Sequence, residues 1–366
     1  LRKNYDSGFA PVTDRERIIF DNHVNAGAKG ILTITKNLYA EDGSTRIEHD
    51  EAGDISFTFR LYLGTENDAS IQPANMYSYH VKDQLGNYCK WIAGVGFVSI
   101  EVSDYNSLGP AERLATTFYT SMNGTIDKIP VDYTVEVREI PVGTRYMVEE
   151  RYREIPDGYS IKAYYVYKEE SFVKTENEGK EVPQGIISAV NDNRVLIENI
   201  KGWGLRAQKI WSDDEWMQNR DSAYFALFKR MGSDCELVDG TVTRLSFGEE
   251  SVYWFLHTLD DINNDGRSDE HDFTLYEVHE VKISNTTPTV DEETGIVEIP
   301  GDVTRLDIND TLDIQGIQIG EEREEIFTYA IVEYTKGTVL TDSNVRVDRI
   351  TNKRAGIELY EMQWDG

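Results

Sequence analysis

The chain has 366 residues, enough for about two or three domains of ordinary size, and its 37 Lys and Arg against 66 Asp and Glu give a formal net charge of −29. A protein with this negative charge is repelled by nucleic-acid backbones and by anionic membrane surfaces. We therefore expect no nucleic-acid partner. No apolar run reaches the roughly 18 residues that a membrane-spanning helix needs, which argues against direct membrane insertion. The two cysteines, Cys89 and Cys235, are too few for a disulfide framework and lie too far apart for a metal site.

Short runs rich in β-branched and aromatic residues predict strands along the whole chain. In order, the clearest are residues 30–36, 55–62, 133–138, 224–228 and 326–334. Gly- and Pro-containing turns separate them, and the best helix candidate is the short segment 110–119. This pattern predicts an all-β protein built from sandwich domains.

Three sequence elements recur and define a repeating unit. A strand that ends in Lys occurs at Lys36 and Lys209, with a third copy that has Met362 instead. A second element ends in Asn, at Asn22, Asn199 and Asn352. A third ends in Glu, at Glu150 and Glu277. Within a unit the order is therefore Lys strand, Glu strand, Asn strand.

This order divides the chain into four segments, as expected for a slice of a longer tandem array. Residues 1–26 are interpreted as the closing strand of a preceding domain or an N-terminal extension, and 354–366 as a linker or the opening strand of a following domain. The two full units are 27–201 and 202–353. The Lys-to-Glu spacing is longer in the first unit, which predicts an insertion near residues 77–123.

Strand periodicity predicts that the recurring polar residues point into the core, because alternate side chains share a face. Lys36 shares a face with Leu32 and Ile34, and Lys209 shares one with Leu205 and Ala207. The same count buries Asn199 and Asn352. Alternation also favours Glu150, which shares a face with Val148, over Glu149, and it places Phe273 and Leu275 on the same face as Glu277. Each unit should thus bury one amine, one acid and one carboxamide.

Burial gives this set of groups a specific chemistry. Buried charges are costly, so such groups shift their pKa and become neutral, which leaves a nucleophilic amine beside a protonated acid that can polarise a carboxamide. Attack of the Lys amine on the Asn side-chain carbon, with loss of ammonia, would form a Lys–Asn isopeptide bond. The alternative is an ordinary buried Lys–Glu ion pair with a hydrogen-bonded Asn nearby. Two occurrences in the same order favour the crosslink.

The combined pattern resembles a family of bacterial surface domains. The second unit, through residues 205–214, 252–255, 273–277 and 350–352, resembles the collagen-adhesin B-type (Cna B) domains of Gram-positive surface proteins and pilins. The first unit, through residues 31–36, 140–150, 156–159 and 197–199, is similar to the related pilin-backbone domains.

The resemblance implies tandem Ig-like sandwiches, export, attachment to the cell wall, and autocatalytic isopeptide bonds. In this mapping Glu150 is the catalytic acid for a Lys36–Asn199 bond, and Glu277 for a Lys209–Asn352 bond. Asn22 has no Lys partner within the sequence, and Met362 replaces the reactive Lys of the third copy. The chemistry would be self-directed, so the chain is not expected to be an enzyme with turnover.

One further motif predicts a metal. Residues 261–272 match the calcium-loop pattern, in which positions 1, 3, 5, 9 and 12 carry side chains with oxygen ligands and position 6 is a glycine, here Gly266. Position 7 would contribute its backbone carbonyl. The candidate ligands are Asp261, Asn263, Asp265, Arg267, Asp269 and Asp272. Position 12 is Asp where the pattern has Glu. An acidic, Asn- and Gly-rich connection between strands is the alternative interpretation.

The sequence therefore predicts a segment of a pilin or adhesin stalk on the extracellular, cell-wall-anchored surface. Its partners would be neighbouring domains of the same array or other pilus subunits. An alternative is a binding module in which the aromatic residues of the 77–123 insertion, Trp91, Phe97, Tyr105 and Tyr119, contact a host glycan or protein. A third interpretation is an accessory domain of a secreted enzyme.

Overall fold

A computed structural model describes residues 27–64, 70–212, 222–246, 248–284, 287–292, 294–298, 301–316, 325–340 and 344–355. The predicted flanking segment 1–26, with Asn22, and the residues from 356 onward, with Met362, lie outside this range. Across the described residues, strands dominate and helices are a single turn or two. The predicted all-β class is confirmed.

Among the described residues, fifteen strands precede residue 202. They are β1 Lys29–Tyr39, β2 Arg46–Ile47, β3 Ser56–Gly64, β4 Gln72–Pro73, β5 Ser78–Lys82, β6 Cys89–Ile92, β7 Gly96–Ser99, β8 Phe118–Tyr119, β9 Thr125–Pro130, β10 Thr134–Pro141, β11 Arg145–Glu149, β12 Tyr159–Lys168, β13 Ser171–Lys174, β14 Gln184–Ile186 and β15 Asn193–Lys201. Short helices α1 His49–Ala52, α2 Pro110–Ala115 and α3 Glu176–Gly179 lie between them, with 3₁₀ turns at Tyr105–Ser107 and Tyr152–Glu154.

These strands form two facing sheets and a separate hairpin. One sheet has the order β13-β12-β15-β1-β10-β5-β8, with β2 also paired to β1, and the other has the order β14-β11-β3-β4, with β9 also paired to β3. The hairpin is β6-β7. The inward side chains of both sheets form one core that includes Leu32, Phe59, Val135 and Val195. This is the layered arrangement expected of a β-sandwich.

The second part of the chain builds a second sandwich. Its strands are β16 Trp203–Ser212, β17 Ala223–Met231, β18 Asp234–Leu237, β19 Thr243–Leu245, β20 Ser251–Leu256, β21 Tyr276–Ser284, β22 Asp302–Arg305, β23 Thr311–Gly316, β24 Glu325–Thr335 and β25 Val345–Arg354, and helix α4 is Glu270–Leu275. The sheets have the orders β20-β16-β25-β24-β23 and β18-β17-β21-β22, with β19 also paired to β17. Its main core includes Leu205, Phe225, Val278 and Ile350.

Two strand pairs in the described chain are parallel, and they occupy equivalent places. β1 pairs in parallel with β15, the first strand of the first sandwich with its last, and β16 pairs in the same way with β25. The other pairs between described strands are antiparallel. Each sandwich is therefore closed by a parallel contact between strands that lie far apart in sequence.

Two sequence predictions about local structure need correction. The helix expected over 110–119 ends at Ala115, because Phe118 and Tyr119 pair with Tyr79 and Ser78 as strand β8. Residues 273–275 were predicted to be part of a strand, but they close helix α4, in which the Asp269 carboxylate caps the first turn by accepting a hydrogen bond from the His271 amide. The strand begins only at Tyr276.

The two sandwiches are joined by a single residue, Gly202, between β15 and β16. A Cβ atom at this position would lie 2.6 Å from the Phe255 ring, so glycine is required by close packing. Arg206 makes a bidentate pair with Asp157 across the junction, at 2.6 and 2.9 Å. The Gly158 amide donates to the Tyr253 hydroxyl at 2.6 Å. The junction is therefore braced by polar contacts on both sides of the linker residue.

Candidate functional site: a buried Lys–Glu–Asn triad in each sandwich

The parallel strand pair of the first sandwich places Lys36 and Asn199 next to each other. Lys36 on β1 lies opposite Ile197 on β15, and Asn199 lies two residues further along, opposite Leu38. Glu150 follows directly after β11, on the facing sheet. The three side chains therefore come from three strands and meet in the core. Lys36 and Asn199 have 0% exposure and Glu150 has 4%.

Inside this first triad the amine and the acid are in contact. Lys36 Nζ lies 3.3 Å from Glu150 Oε1, and 4.2 Å from the centre of the Phe57 ring. Neither the amine nitrogen, nor either Glu150 oxygen, nor the two polar side-chain atoms of Asn199 has a partner with hydrogen-bond geometry. Each buried unsatisfied polar group costs about 1–3 kcal/mol. A native core seldom gathers several such groups in one place without a functional reason.

Burial shifts both ionisable groups of this triad towards their neutral forms. Loss of hydration lowers the pKa of Lys36 to about 8, although the Glu150 carboxylate acts in the opposite direction. Loss of hydration likewise raises the pKa of Glu150, and Lys36 and Asn199 offset only part of this effect. A neutral amine is a nucleophile and a protonated carboxyl group is a proton donor, so the site favours the two forms that amide chemistry requires.

The second sandwich repeats the same register. Lys209 on β16 lies opposite Ile350 on β25, and Asn352 lies two residues further along, opposite Trp211. The Lys209 side chain is 1% exposed, and its Nζ lies 2.5 Å from Glu280 Oε2. The same oxygen accepts a hydrogen bond from Asn352 Nδ2 at 2.9 Å. Glu280 Oε1 and Asn352 Oδ1 are buried with no hydrogen-bond partner.

The acid in this second triad is Glu280, whereas the sequence predicted Glu277. Glu277 lies on the opposite face of β21, where its carboxylate pairs with Arg230 at 2.6 Å and lies 3.4 Å from His279 Nε2 and 3.5 Å from the Cys235 sulfur. Burial alone would raise its pKa, but hydrogen bonds from His279 and Arg230 outweigh this and hold the pKa well below its usual range. The structure thus places Glu280, and not Glu277, in contact with Lys209 and Asn352.

The error has a specific physical origin. Phe273, Leu275 and Glu277 share a face only if residues 273–277 are one strand, and residues 273–275 are helical. Arg346 fixes where the helix gives way to β21, since its guanidinium is buried and donates to the carbonyls of Phe273 and Tyr276, both at 2.7 Å. Counting from the buried Tyr276 and Val278 places Glu280 on the core face. Alternation from Val278 was the signal that could have identified it.

The candidate calcium loop is stabilised by its own backbone. Asp261 accepts hydrogen bonds from the amides of Asp265 and Gly266, and Asp265 accepts one from Arg267, while Asn263 Oδ1 also accepts from Asp265. Buried Asp272 uses both oxygens on the amides of Ile262, Asn263 and Asp269. Within the described residues, no group of three or more His, Cys, Asp or Glu side chains is placed to hold a metal ion. Calcium binding stays a prediction without a formed ligand cage.

The aromatic residues of the 77–123 insertion divide into two groups. Trp91 and Tyr119 are 45% and 52% exposed. Phe97 is half-buried and packs against Phe118 at 5.4 Å between ring centres, and Tyr105 packs at a tilt against His80, with 4.5 Å between ring centres. Part of the insertion therefore extends the core, and part presents aromatic surface to solvent.

The fold and the site together define a class: tandem β-sandwiches, each closed by a parallel strand pair around a buried Lys–Glu–Asn triad. No protein-family model matches the chain, and no curated protein matches it. Within the described residues, no helix has the length and apolar character needed to cross a membrane.

Similar solved structures include pilus and surface proteins of bacteria. A pilus-presented adhesin is 13% identical with a TM-score of 0.24, over 48% of this chain and 27% of that one. A streptococcal ancillary pilin is 13% identical with a TM-score of 0.21, and the match covers 89% of this chain and 62% of the pilin. A single B repeat of the collagen-binding surface protein of Staphylococcus aureus is 12% identical with a TM-score of 0.18, and the match covers 74% of this chain and 96% of the repeat. The chain thus spans about a quarter of the pilus adhesin, and similarities this weak carry no argument about function.

Substitution of the two neighbouring acids in the first sandwich should separate their roles. We expect Glu150→Gln to abolish covalent bond formation between Lys36 and Asn199, because Gln cannot exchange protons with the amine and the carboxamide. Glu149→Gln is the matched control, since the Glu149 carboxylate instead accepts from the Tyr62 hydroxyl at 2.6 Å. Peptide mass spectrometry after proteolysis measures the crosslinked peptide. A crosslink in Glu150→Gln, or its loss in Glu149→Gln, would contradict the assignment.

The second sandwich offers the same comparison with the predicted and observed acids. Glu280→Gln should prevent a Lys209–Asn352 crosslink, whereas Glu277→Gln should leave it intact and affect only the contacts with Arg230 and His279. The crosslinked peptide is again the readout, with circular dichroism to confirm that both variants fold. The reverse result would restore Glu277 as the acid.

Proposed function

We propose that this chain is a structural segment of a Gram-positive surface protein, a pilin or adhesin stalk, in which each sandwich forms one intramolecular isopeptide bond. The bonds would join Lys36 to Asn199 and Lys209 to Asn352. The observation that carries the proposal is the repetition of one arrangement. In both sandwiches a buried Lys lies two residues out of register with a buried Asn on a parallel strand, and a buried Glu contacts the Lys amine.

The proposed reaction is an amide exchange within the core. The neutral Lys amine attacks the Asn side-chain carbon while the protonated Glu donates a hydrogen bond to the carboxamide oxygen and stabilises the charge that develops there. The Glu then relays a proton from the attacking nitrogen to the departing one. The C–N bond to the Asn nitrogen breaks, ammonia leaves, and the Glu returns to its starting protonation state. Nothing is oxidised or reduced, and each site reacts once.

The geometry supports this reaction over a simple ion pair. A stable buried ion pair requires hydrogen bonds that satisfy its remaining lone pairs and protons. In the first triad the amine and carboxyl atoms lack such bonds, and in the second one carboxyl oxygen and the Asn carbonyl oxygen lack them. In the second sandwich, a cavity of about 330 Å³ is lined by Glu280 and Ile350, so there is space beside the triad through which ammonia can leave.

A structural role also agrees with the chain as a whole. Chemistry directed at the protein's own side chains gives no turnover, so the chain is not an enzyme in this proposal. Its location would be the extracellular, wall-anchored surface, and its partners would be neighbouring domains or other subunits. Two sandwiches joined through one braced residue suit a stalk, since a stalk must keep its domains in line.

The intact mass of the denatured and reduced chain tests the proposal directly. We expect a mass below the sequence value by two ammonia molecules, one for each bond. A deficit of one would restrict the reaction to one sandwich, which peptide mapping would then identify. An unmodified mass would show that both triads are buried polar clusters without covalent chemistry, and the proposal would be rejected.

Removal of one bond should cost stability in the sandwich that loses it. Asn199→Ala should lower the free energy of unfolding by about 3–5 kcal/mol, by analogy with a disulfide that closes a loop of similar length. For a domain of this size the midpoint of thermal unfolding should fall by roughly 10 °C. Calorimetry measures both, and Glu150→Gln serves as a control that removes the bond but keeps Lys36 and Asn199. Equal stability of wild type and both variants would contradict a covalent lock.

A further inference from the structure

The insertion differs in surface character from the rest of this acidic protein. Seven of the seventeen large hydrophobic side chains that the described chain exposes lie within residues 77–123. The same segment has three Lys and Arg against four Asp and Glu, in a chain whose net charge is −29. Three of the seven, Trp91, Ile92 and Val95, lie within five residues of one another on the hairpin β6-β7, and a contiguous exposed apolar patch is typical of a binding site.

Part of this surface forms one wall of a groove. The hairpin β6-β7 contributes Trp91, Val95 and Phe97, and residues between 49 and 56, in and after helix α1, line another part of it. The groove has a volume of about 590 Å³, within the range of about 300–1,000 Å³ that is usual for small-ligand sites. Tyr133 also lines it. The groove lies outside both triads and has no part in the proposed crosslinking.

The aromatic wall is held in place by the core behind it. Trp91 packs edge to face against Phe97, with 5.0 Å between ring centres. Phe97 in turn packs against Phe118 and Tyr133, with 5.4 and 6.5 Å between ring centres. Trp91 nevertheless remains 45% exposed. The indole is thus both fixed and accessible, which lowers the entropic cost of stacking a ligand against it.

The part of the groove lined by residues 49–56 supplies polar groups. The carboxylates of Asp50 and Asp54 lie on exposed residues there. The His49 ring packs on Tyr133 at 4.8 Å between centres, and its Nδ1 is buried without a hydrogen-bond partner. The groove therefore combines an apolar aromatic wall with hydrogen-bonding groups.

We propose that this groove binds a neutral saccharide. A sugar ring has an apolar face that can stack on Trp91 and hydroxyl groups that can bond to His49, Asp50 and Asp54, since hydroxyls both donate and accept. The groove also contains one cation, Lys128, whose amine lies 5.9 Å from the centre of the Trp91 ring. The two carboxylates outnumber it, and together with the net charge of −29 they disfavour anionic sugars. The same charge disfavours a second copy of the chain as the occupant. The site would give the stalk segment a recognition function of its own.

An array of neutral, sialylated and sulfated oligosaccharides tests the proposal with the full chain. We expect binding to at least one neutral oligosaccharide and a loss of affinity of at least tenfold on Trp91→Ala or His49→Ala. Tyr119→Ala is the matched control, because Tyr119 is an exposed aromatic residue of the same insertion that does not line the groove. Trp91→Phe keeps the ring and should retain part of the affinity.

Several outcomes would overturn this proposal. They are the absence of binding to every oligosaccharide on the array, binding to anionic oligosaccharides alone, and binding that Trp91→Ala leaves unchanged or that Tyr119→Ala removes. The mass deficit of each variant reports independently on whether the first sandwich has folded and reacted. Failure of glycan binding with an intact mass deficit would reject the groove and leave the stalk proposal standing.

Discussion

The parallel contact between the first and last strands of each sandwich is the constraint on which the site depends. Parallel strands need a long connection, and here almost the whole domain forms that connection. The contact brings Lys36 beside Asn199 and Lys209 beside Asn352, although each pair is separated by well over a hundred residues. Without it the Lys and Asn side chains of each sandwich would share no common core. The facing sheet then has only to supply one acid.

The two triads differ in how their polar atoms are satisfied, and the difference follows from where the acid is held. Glu150 follows the end of β11, and its oxygens make no hydrogen bonds. Glu280 sits within β21 and bonds to both Lys209 and Asn352 through one oxygen. In the second site one carboxylate oxygen therefore bridges the amine and the carboxamide, whereas in the first site burial lowers the pKa of Lys36 and raises the pKa of Glu150. The same chemistry can start from either arrangement, because a proton moved between Lys and Glu leaves the total number of protons unchanged.

Much of this site could be predicted from sequence because strands repeat every two residues. Leu32, Ile34 and Lys36 form one buried row, and the same rule places Asn199, Asn352, Lys209 and Glu150 correctly in the core. The rule failed at Glu277 because it was applied through residues 273–275, which are helical. The helix is short, and its end is set by Arg346, some seventy residues further along the chain. No local pattern could reveal that contact. The groove beside Trp91 also depends on long-range packing, with Phe97 and His49 both contacting Tyr133.

The single linker residue Gly202 has a mechanical consequence. With both isopeptide bonds formed, tension along the chain would reach Lys36, cross to Asn199, continue through residues 200–208, and cross from Lys209 to Asn352. The tension would bypass residues 37–198 and 210–351, so pulling on the chain would not unfold either sandwich. Between the two bonds, ordinary backbone would carry the force only through residues 200–208, and the contacts at Arg206 and Tyr253 limit how far this segment can bend. Such a molecule would behave under load as an almost inextensible rod with one stiff joint.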